Sequence, residues 1–273
     1  MNHLQLVTEP APMPVSYSKP VELYVFIDLL QPKSWALHST IRKLQVNYGQ
    51  YFSMRFILST ELSSLNVACH RINNCTSHDE LVDLTHPVLP SIAVKAAELQ
   101  GKKAGHRYLM KLLEYHMTEE KNIRSCNTLT TVAREVDLDV EEFEADFRSL
   151  EASRSFQGDL CITHEMDVQE VPSFVFFNEN IEDEGLKVSG SYNYEVYEHI
   201  LAELLDEELI QSQPPSLDDL FLKYNTLSIL EVATIYNISE KTAERELKKQ
   251  MLQQKIEKIS CKQHTLYRLK KSI

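Results

Sequence analysis

An almost unbroken apolar run, Val21 to Leu30, opens the patterned part of the chain. β-Branched and aromatic residues dominate the run, which is typical of a strand buried on both faces. Apolar residues at helical spacing follow from Trp35 to Tyr48, and Pro32 suits the first turn of that helix, where a missing N–H is no loss. The alternation from Phe52 to Leu58 predicts a second strand. The chain therefore begins as strand, helix, strand.

A block of helices comes next, because apolar residues recur with helical period from Ser91 to Met166. Within it, Asp139 is suited to cap a helix over Val140 to Leu150. Short strands are then predicted at 174–177 and 186–189, followed by an amphipathic helix over 194–208. The predicted order is strand–helix–strand, a helical block, and strand–strand–helix.

Residues 217–273 carry a separate pattern. Three short helices are predicted, at 217–224, at 228–236 and from Ser239 onward, followed by two strands near 255–259 and 265–269. This order resembles a winged-helix domain. The polar, proline-containing segment 211–216 is predicted to be a linker, and residues 1–19, with three prolines, a flexible arm.

Composition and motifs exclude several classes of nucleotide-binding protein and hydrolase. The chain has 273 residues and only 6 glycines, and it contains no P-loop, no dinucleotide-binding fingerprint and no nucleophile elbow. It has neither a basic-then-apolar leader nor an apolar run of about 18 residues, so a cytoplasmic protein without a membrane partner is predicted. The five cysteines are widely spaced and odd in number, which favours reduced thiols.

Charge is unevenly distributed along the chain. The net charge is −12; residues 1–210 carry 17 Lys/Arg and 33 Asp/Glu, whereas residues 211–273 carry 11 and 7. This asymmetry supports a domain boundary near the predicted linker. The acidic balance of the whole chain argues against a nucleic-acid partner.

Other clusters give weaker signals. Cysteine and histidine side chains are common zinc ligands, and four of them lie close together in the sequence: Cys69, Cys75, His78 and His86. Their spacing matches no standard zinc site, so no metal and no cofactor is predicted. Basic residues on the last predicted helix make a DNA-binding regulator an alternative function: Lys241, Arg245, Lys248 and Lys249. Glutamates interrupt them, and a protein-docking domain is the preferred interpretation.

The order of elements over residues 20–210, with Val171-Pro172 directly before the third strand, resembles the thioredoxin fold. The helical block, at about residues 85–168, resembles the inserted subdomain of the DsbA type. The fold class implied is an α/β DsbA-like domain with a small winged-helix-like α+β domain after it. The resemblance also implies a cis peptide at Pro172, opposite the turn that follows the first strand.

Redox-active members of this fold carry C-x-x-C at that turn, where the helix N-terminus stabilises a thiolate. Gln31 and Ser34 stand at the matching positions here, so no catalytic residue is assigned. The degenerate turn and the cis-Pro groove are instead expected to bind a partner protein, through Gln31, Pro32, Lys33, Ser34, Trp35, Val171 and Pro172. A thiol-disulfide oxidoreductase or isomerase that uses another cysteine is the second alternative function.

The chain as a whole resembles the Spx-degradation adaptors, the SpxH/YjbH family. The resemblance is carried by residues 21–59, 95–109, 171–205 and 246–259. It implies a cytosolic, non-enzymatic adaptor that binds the transcription factor Spx and promotes its degradation by the ClpXP protease, with the main contact expected on the DsbA-like domain. Some members carry a C-x-x-C turn and a Cys/His-rich N-terminal region, both absent here.

Overall fold

The first apolar run forms β1 (Val21–Ile27), the second-to-edge strand of a four-stranded sheet in the order β2-β1-β3-β4. β2 (Phe52–Leu58) pairs with it in parallel, whereas β3 (Ser173–Phe177) pairs with it antiparallel. β4 (Leu186–Ser189) lies antiparallel on the outer edge of β3. The computed structural model describes residues 19–31, 37–60, 87–118, 122–180, 185–260 and 265–270.

Helices cover and extend this sheet. α1 (His38–Tyr48) connects the two parallel strands. The insertion after β2 comprises α2 (Leu89–Leu99), α3 (Lys102–Thr118), α4 (Cys126–Glu135), α5 (Val140–Phe147) and α6 (Leu150–Glu165), and α7 (Tyr194–Leu205) follows β4. The prediction that one helix runs from Val140 to Leu150 is wrong, because the Ser149 hydroxyl accepts the N–H of Ala152 and starts a new helix there.

A buried carboxylate connects two helices of the insertion to the sheet. Lys95 Nζ of α2 lies 2.7 Å from Asp159 Oδ2 of α6, and both side chains are almost fully buried. The same carboxylate oxygen accepts the backbone N–H of Leu58, the last residue of β2. The Asp159 carboxylate therefore joins both α2 and α6 of the insertion to the end of β2.

The C-terminal part consists of α8 (Leu217–Tyr224), β5 (Thr226–Ser228), α9 (Ile229–Tyr236), α10 (Glu240–Leu252), β6 (Ile256–Ser260) and β7 (Thr265–Leu269). The three strands form an antiparallel sheet in the order β5-β7-β6. The predicted helices and hairpin are present, and β5 is an additional strand. The winged-helix resemblance and the domain boundaries remain predictions.

Two further observations bear on the sequence-based expectations. The peptide bond between Val171 and Pro172 is cis, as the thioredoxin resemblance implied. Among the residues that the structure describes, no helix combines the length and apolar character needed to cross a membrane.

Candidate functional site

The turn after β1 is the first half of the predicted groove. Asp28 is buried, and its carboxylate accepts the backbone N–H of Leu30 at 2.8 Å. The N–H of Gln31 donates to the Asp28 carbonyl at 3.2 Å, so the chain turns sharply at the end of the strand. Four other predicted site residues lie outside the described residues: Pro32, Lys33, Ser34 and Trp35.

The second half of the groove is the segment before β3. The Pro172 carbonyl accepts the N–H of Gly190 at 2.8 Å, and Gly190 has φ +92°, a conformation that favours glycine. The buried Ser173 hydroxyl donates to the Glu170 carbonyl at 2.7 Å. These two bonds hold the backbone on both sides of Val171-Pro172.

Val171 itself is half-buried. In the part of the chain that the structure describes, its N–H and C=O have no hydrogen-bond partner. Its side chain packs on a small apolar cluster formed by Phe26, Ile57 and Val175. A backbone held in place but unpaired can form hydrogen bonds with an extended segment of another protein.

The structure describes two of the five cysteines. The described free cysteines, Cys126 and Cys161, lie on insertion helices α4 and α6. No group of three or more metal-ligating side chains occurs within the described ranges. The Cys/His cluster considered for zinc, residues 69–86, and Cys261 fall outside those ranges.

A second polar centre, which sequence reasoning missed, joins the thioredoxin-like part to the C-terminal part. We call His38, Arg42 and Glu231 the junction triad. His38 Nδ1 lies 2.9 Å from Glu231 Oε1, and the Arg42 guanidinium donates to the same oxygen at 2.8 Å. Arg42 also donates to the backbone carbonyl of Thr226 at 2.8 Å. All three triad side chains are buried.

Electrostatics fix the ionisation of the junction triad. Burial alone would raise the pKa of Glu231, but the Arg42 charge and the His38 hydrogen bond outweigh it and lower the pKa to about 2. Burial and the Arg42 charge lower the pKa of His38, so His38 is neutral at pH 7. A neutral His38 that donates from Nδ1 leaves Nε2 facing the Met110 sulfur at 3.1 Å.

Glu231 also organises its own helix. Its second carboxylate oxygen accepts the N–H of Ser228 at 2.6 Å, and the Ser228 hydroxyl accepts the N–H of Glu231. This reciprocal capping box starts α9. One carboxylate thus begins a helix of the C-terminal part and binds two side chains of α1. A sequence signal was available, because Glu231 is the one charged residue of α9, Ile229–Tyr236.

The insertion contacts the C-terminal part through Glu114 of α3. Its carboxylate accepts the Thr226 hydroxyl at 2.9 Å and forms an ion pair with Arg268 of β7. Lys111 lies 2.9 Å from the same carboxylate. Burial alone would raise the pKa of Glu114, but these cations lower it, so the ion pairs are present at neutral pH.

Helix α1 is consequently buried on the side that faces the C-terminal part. Lys43 donates to the Asn237 side chain at 2.8 Å, and Val46 packs within the core of the C-terminal part. The predicted linker is also attached here, because the N–H of Ser212 donates to the Asn47 carbonyl at 2.8 Å. The helix after the degenerate turn therefore supports both parts of the chain.

The basic residues considered for DNA recognition lie on α10. Lys248 pairs with Glu244 at 2.8 Å, and Lys249 pairs with Glu246 at 2.8 Å, within the same helix. Arg245 also lies 3.6 Å from Glu246. Because carboxylates neutralise this face, it offers a phosphate backbone little net positive charge.

Comparisons with known proteins agree with this architecture. A family model described as thioredoxin matches residues 24–199. The solved structure of Pseudomonas aeruginosa DsbA2 is similar, with a TM-score of 0.51 at 12% identity, covering 70% of this chain and 91% of that one. The predicted α/β class with a DsbA-like thioredoxin fold is thereby confirmed.

Two curated relatives are similar over nearly the whole length. The ClpXP adapter protein SpxH of Halalkalibacterium halodurans is 37% identical over 272 residues, covering 92% of this chain and 89% of that protein. The ClpXP adapter protein SpxH of Bacillus subtilis (strain 168) is 37% identical over 261 residues, covering 89% of this chain and 87% of that protein. Both alignments extend beyond the thioredoxin-like part into the C-terminal part.

Proposed function

The chain belongs to the family of the ClpXP adapter protein SpxH, and on that premise we propose that it binds an Spx-like transcription factor and promotes its degradation by the ClpXP protease. The observation that carries the proposal is the similarity to named adapters over about nine-tenths of the chain. We further propose that the protein catalyses no reaction itself and acts in the cytoplasm.

The groove supports a binding role without redox chemistry. Gln31 stands at the first position of the turn where DsbA-type enzymes carry a nucleophilic cysteine, and a glutamine cannot form a disulfide. At the end of the sheet where Phe26 of β1 pairs with Ser173, the unpaired backbone of Val171 is suited to pair with an extended segment. A scaffold that has lost its thiols can still hold a protein.

An adaptor acts by proximity. If the chain holds the transcription factor and also engages the protease, the substrate meets the protease at a raised effective concentration. The junction triad would keep the two parts of the chain in a fixed relation while this happens. Binding energy, rather than bond making or breaking, then determines the rate.

The test is a purified degradation assay. An Spx-like transcription factor is incubated with ClpXP and ATP, with and without the full chain, and its half-life is measured. We expect the half-life to fall severalfold at saturating adaptor, with the adaptor recovered intact. An unrelated ClpXP substrate serves as a control and should be degraded at the same rate in both reactions. An unchanged half-life of the transcription factor would refute the proposal.

A thiol-disulfide oxidoreductase is the second candidate, favoured by the likeness to DsbA2. An insulin-reduction assay separates the two functions. For an adaptor we expect background reductase activity, and replacing all five cysteines by serine should change substrate delivery less than about twofold. Reductase activity that disappears with one particular cysteine would favour the enzyme instead.

A further inference from the structure

A basic cavity lies where the helical insertion meets the C-terminal part. It has a volume of about 560 Å³, and α3, the end of α4, α8 and β7 contribute to its walls. A second cavity of about 600 Å³ adjoins it, because His106, Lys223 and Tyr224 line both. We call the two together the junction groove.

The charge of this groove is opposite to that of the chain. Among the described residues that line the first cavity, six are Lys or Arg and three are acidic, although the chain carries −12. Lys19 and Lys223 line the second cavity, and none of its described lining residues is acidic. The groove is therefore a positive site on an acidic protein, and it attracts anions.

Three of the cations are not neutralised. Arg42, Lys111 and Arg268 already pair with glutamates. In contrast, Arg107, Arg134 and Lys223 have no carboxylate within 4 Å in the described part of the chain, and all three are exposed. Their charges remain available to a ligand.

Two guanidinium donors beside the first cavity are closed off from it. Arg42 Nε and Arg268 Nε are buried and have no hydrogen-bond acceptor among the described residues. Both residues line the first cavity, and Arg42 is only 5% exposed. Both atoms have almost no accessible surface, so the contacts that the groove offers a ligand are the exposed charges of Arg107, Arg134 and Lys223.

Carboxylates on a polypeptide suit this arrangement better than a compact, multiply charged anion. Guanidinium groups bind carboxylates through paired N–H donors. Glu114, Glu135 and Asp137 share the walls and would repel a concentrated negative charge such as a phosphate dianion. Apolar side chains also line the cavity, and Leu222 is 71% exposed at it, which favours a ligand with apolar side chains between its charges.

We propose that the junction groove binds an acidic, partly apolar segment of a partner protein. The proposal rests on the adaptor function and deepens it, since it names the chemistry of a second contact with a substrate or the protease. The two cavities share His106, Lys223 and Tyr224, so one extended segment can occupy both. The groove lies between the two parts of the chain, so the segment would contact both.

Binding of a defined probe tests the proposal on the full chain. The probe is a short fluorescein-labelled peptide of alternating glutamate and leucine, and its anisotropy is measured at low ionic strength. The matched glutamine–leucine peptide keeps the length and apolar content without the charge. We expect the glutamate peptide to bind at least about tenfold more tightly, because charged hydrogen bonds are the stronger kind. Equal affinities would refute the proposal.

Charge-matched variants locate the site. The groove variant combines Arg107→Gln, Arg134→Gln and Lys223→Gln, all at exposed positions. The control variant combines Lys241→Gln, Arg245→Gln and Lys258→Gln, which remove the same charge from exposed positions that do not line the groove. We expect the groove variant to weaken peptide binding about tenfold or more and the control less than about twofold. Equal weakening by both variants would show general charge attraction and overturn the proposal.

A competition experiment and a comparison with the degradation assay complete the test. Inorganic phosphate that displaces the peptide more effectively than free glutamate would identify a phosphate site and reject the proposed occupant. The peptide assay contains neither ClpXP nor a transcription factor, so its outcome is separate from the adaptor function. A chain that binds the peptide but leaves degradation unchanged rejects only the proposed function. A chain that accelerates degradation without binding the peptide rejects only the groove.

Discussion

At the scale of single residues, Glu231 connects more of the structure than any sequence pattern indicated. Its carboxylate starts α9, accepts from His38 and Arg42, and is 2% exposed. Removing one partner of a buried ion pair leaves the other charge without compensation. The stability of the junction should therefore depend strongly on this one side chain.

We expect Glu231→Gln to lower the free energy of unfolding by about 3 kcal/mol, because the amide keeps the volume but leaves the Arg42 charge uncompensated. Urea unfolding measures the change. Glu207→Gln, at an exposed position that makes no described contact, is the matched control and should change stability by less than about 0.5 kcal/mol. Equal stability of the two variants would show that the triad contributes little.

The triad also predicts a dependence on pH. The pKa of His38 is lowered by burial and by Arg42, so below its ordinary value of 6.5 the unfolded chain takes up a proton that the folded chain does not. The free energy of unfolding should then fall as the pH drops from 6.5 to the lowered pKa of His38, by up to about 1.4 kcal/mol per pH unit.

The pH profile of urea unfolding tests this contribution. His38→Gln should flatten the slope below pH 6.5, whereas His199→Gln, at an exposed position, should keep it. Part of the slope should survive in His38→Gln, because the pKa values of His106 and His116 are also lowered by burial. Near pH 4.5 and below, Glu231 should lower the free energy of unfolding further, because its pKa is lowered from 4.5 to about 2 in the folded chain. An unchanged slope in His38→Gln would contradict the argument.

At the scale of elements, local signals predicted most of the fold. The strands Phe52–Leu58 and Leu186–Ser189 and the helix Leu217–Tyr224 have the bounds that their patterns indicated. Alternation and helical spacing are local properties, so they can be read from sequence. β5 has three residues between two helices, and in the described part of the chain it pairs only with β7, about forty residues away. Three residues are too few to show the alternation that predicts a strand.

The cap of α5 provides a prediction at this scale. The Asp139 carboxylate accepts the N–H of Glu142 at 3.0 Å, as the sequence suggested. Asp139→Ala should lower the free energy of unfolding by about 1 kcal/mol, measured by urea denaturation. Glu141→Ala, in the same turn without a capping bond, should cost about half as much or less. A larger effect at Glu141 would mean that charge, rather than the cap, starts this helix.

The candidate site was only partly accessible to sequence reasoning. The position of Val171-Pro172 before the third strand led to the predicted groove, and the pairing of Phe26 with Ser173 brings that peptide to the end of the sheet where β1 ends. The junction groove was not foreseen, since its residues come from Lys19 to Arg268 and converge only when the C-terminal part packs on α1 and α3. Long-range packing of charged side chains leaves no local pattern.

At the scale of the whole molecule, charged residues of the two parts of the chain form ion pairs with each other. The sequence suggested a domain boundary and a basic tail available to partners. The structure pairs acidic and basic groups across that boundary, with Glu231 bound to Arg42 in one direction and Arg268 bound to Glu114 in the other. These charge pairs attach one part of the chain to the other.

Such an attachment predicts cooperative unfolding. Val46 of α1 is buried in the core of the C-terminal part, and the junction triad lies beside it on the same helix. Parts that share buried contacts of this kind unfold together, whereas parts joined by a loose linker unfold separately. We therefore expect one calorimetric transition for the full chain, with a van't Hoff enthalpy close to the calorimetric enthalpy.

A variant that damages the shared core should break this cooperativity. Val46→Asp places a charge at a position that is 8% exposed, so it should separate the single transition into two and lower the temperature of the first. Val196→Asp introduces the same charge on α7 at a position that is 36% exposed, and it should leave one transition. Two transitions in the unmodified chain would show that the junction does not couple the parts. One transition in both variants would mean that the coupling runs through the charged pairs rather than through Val46.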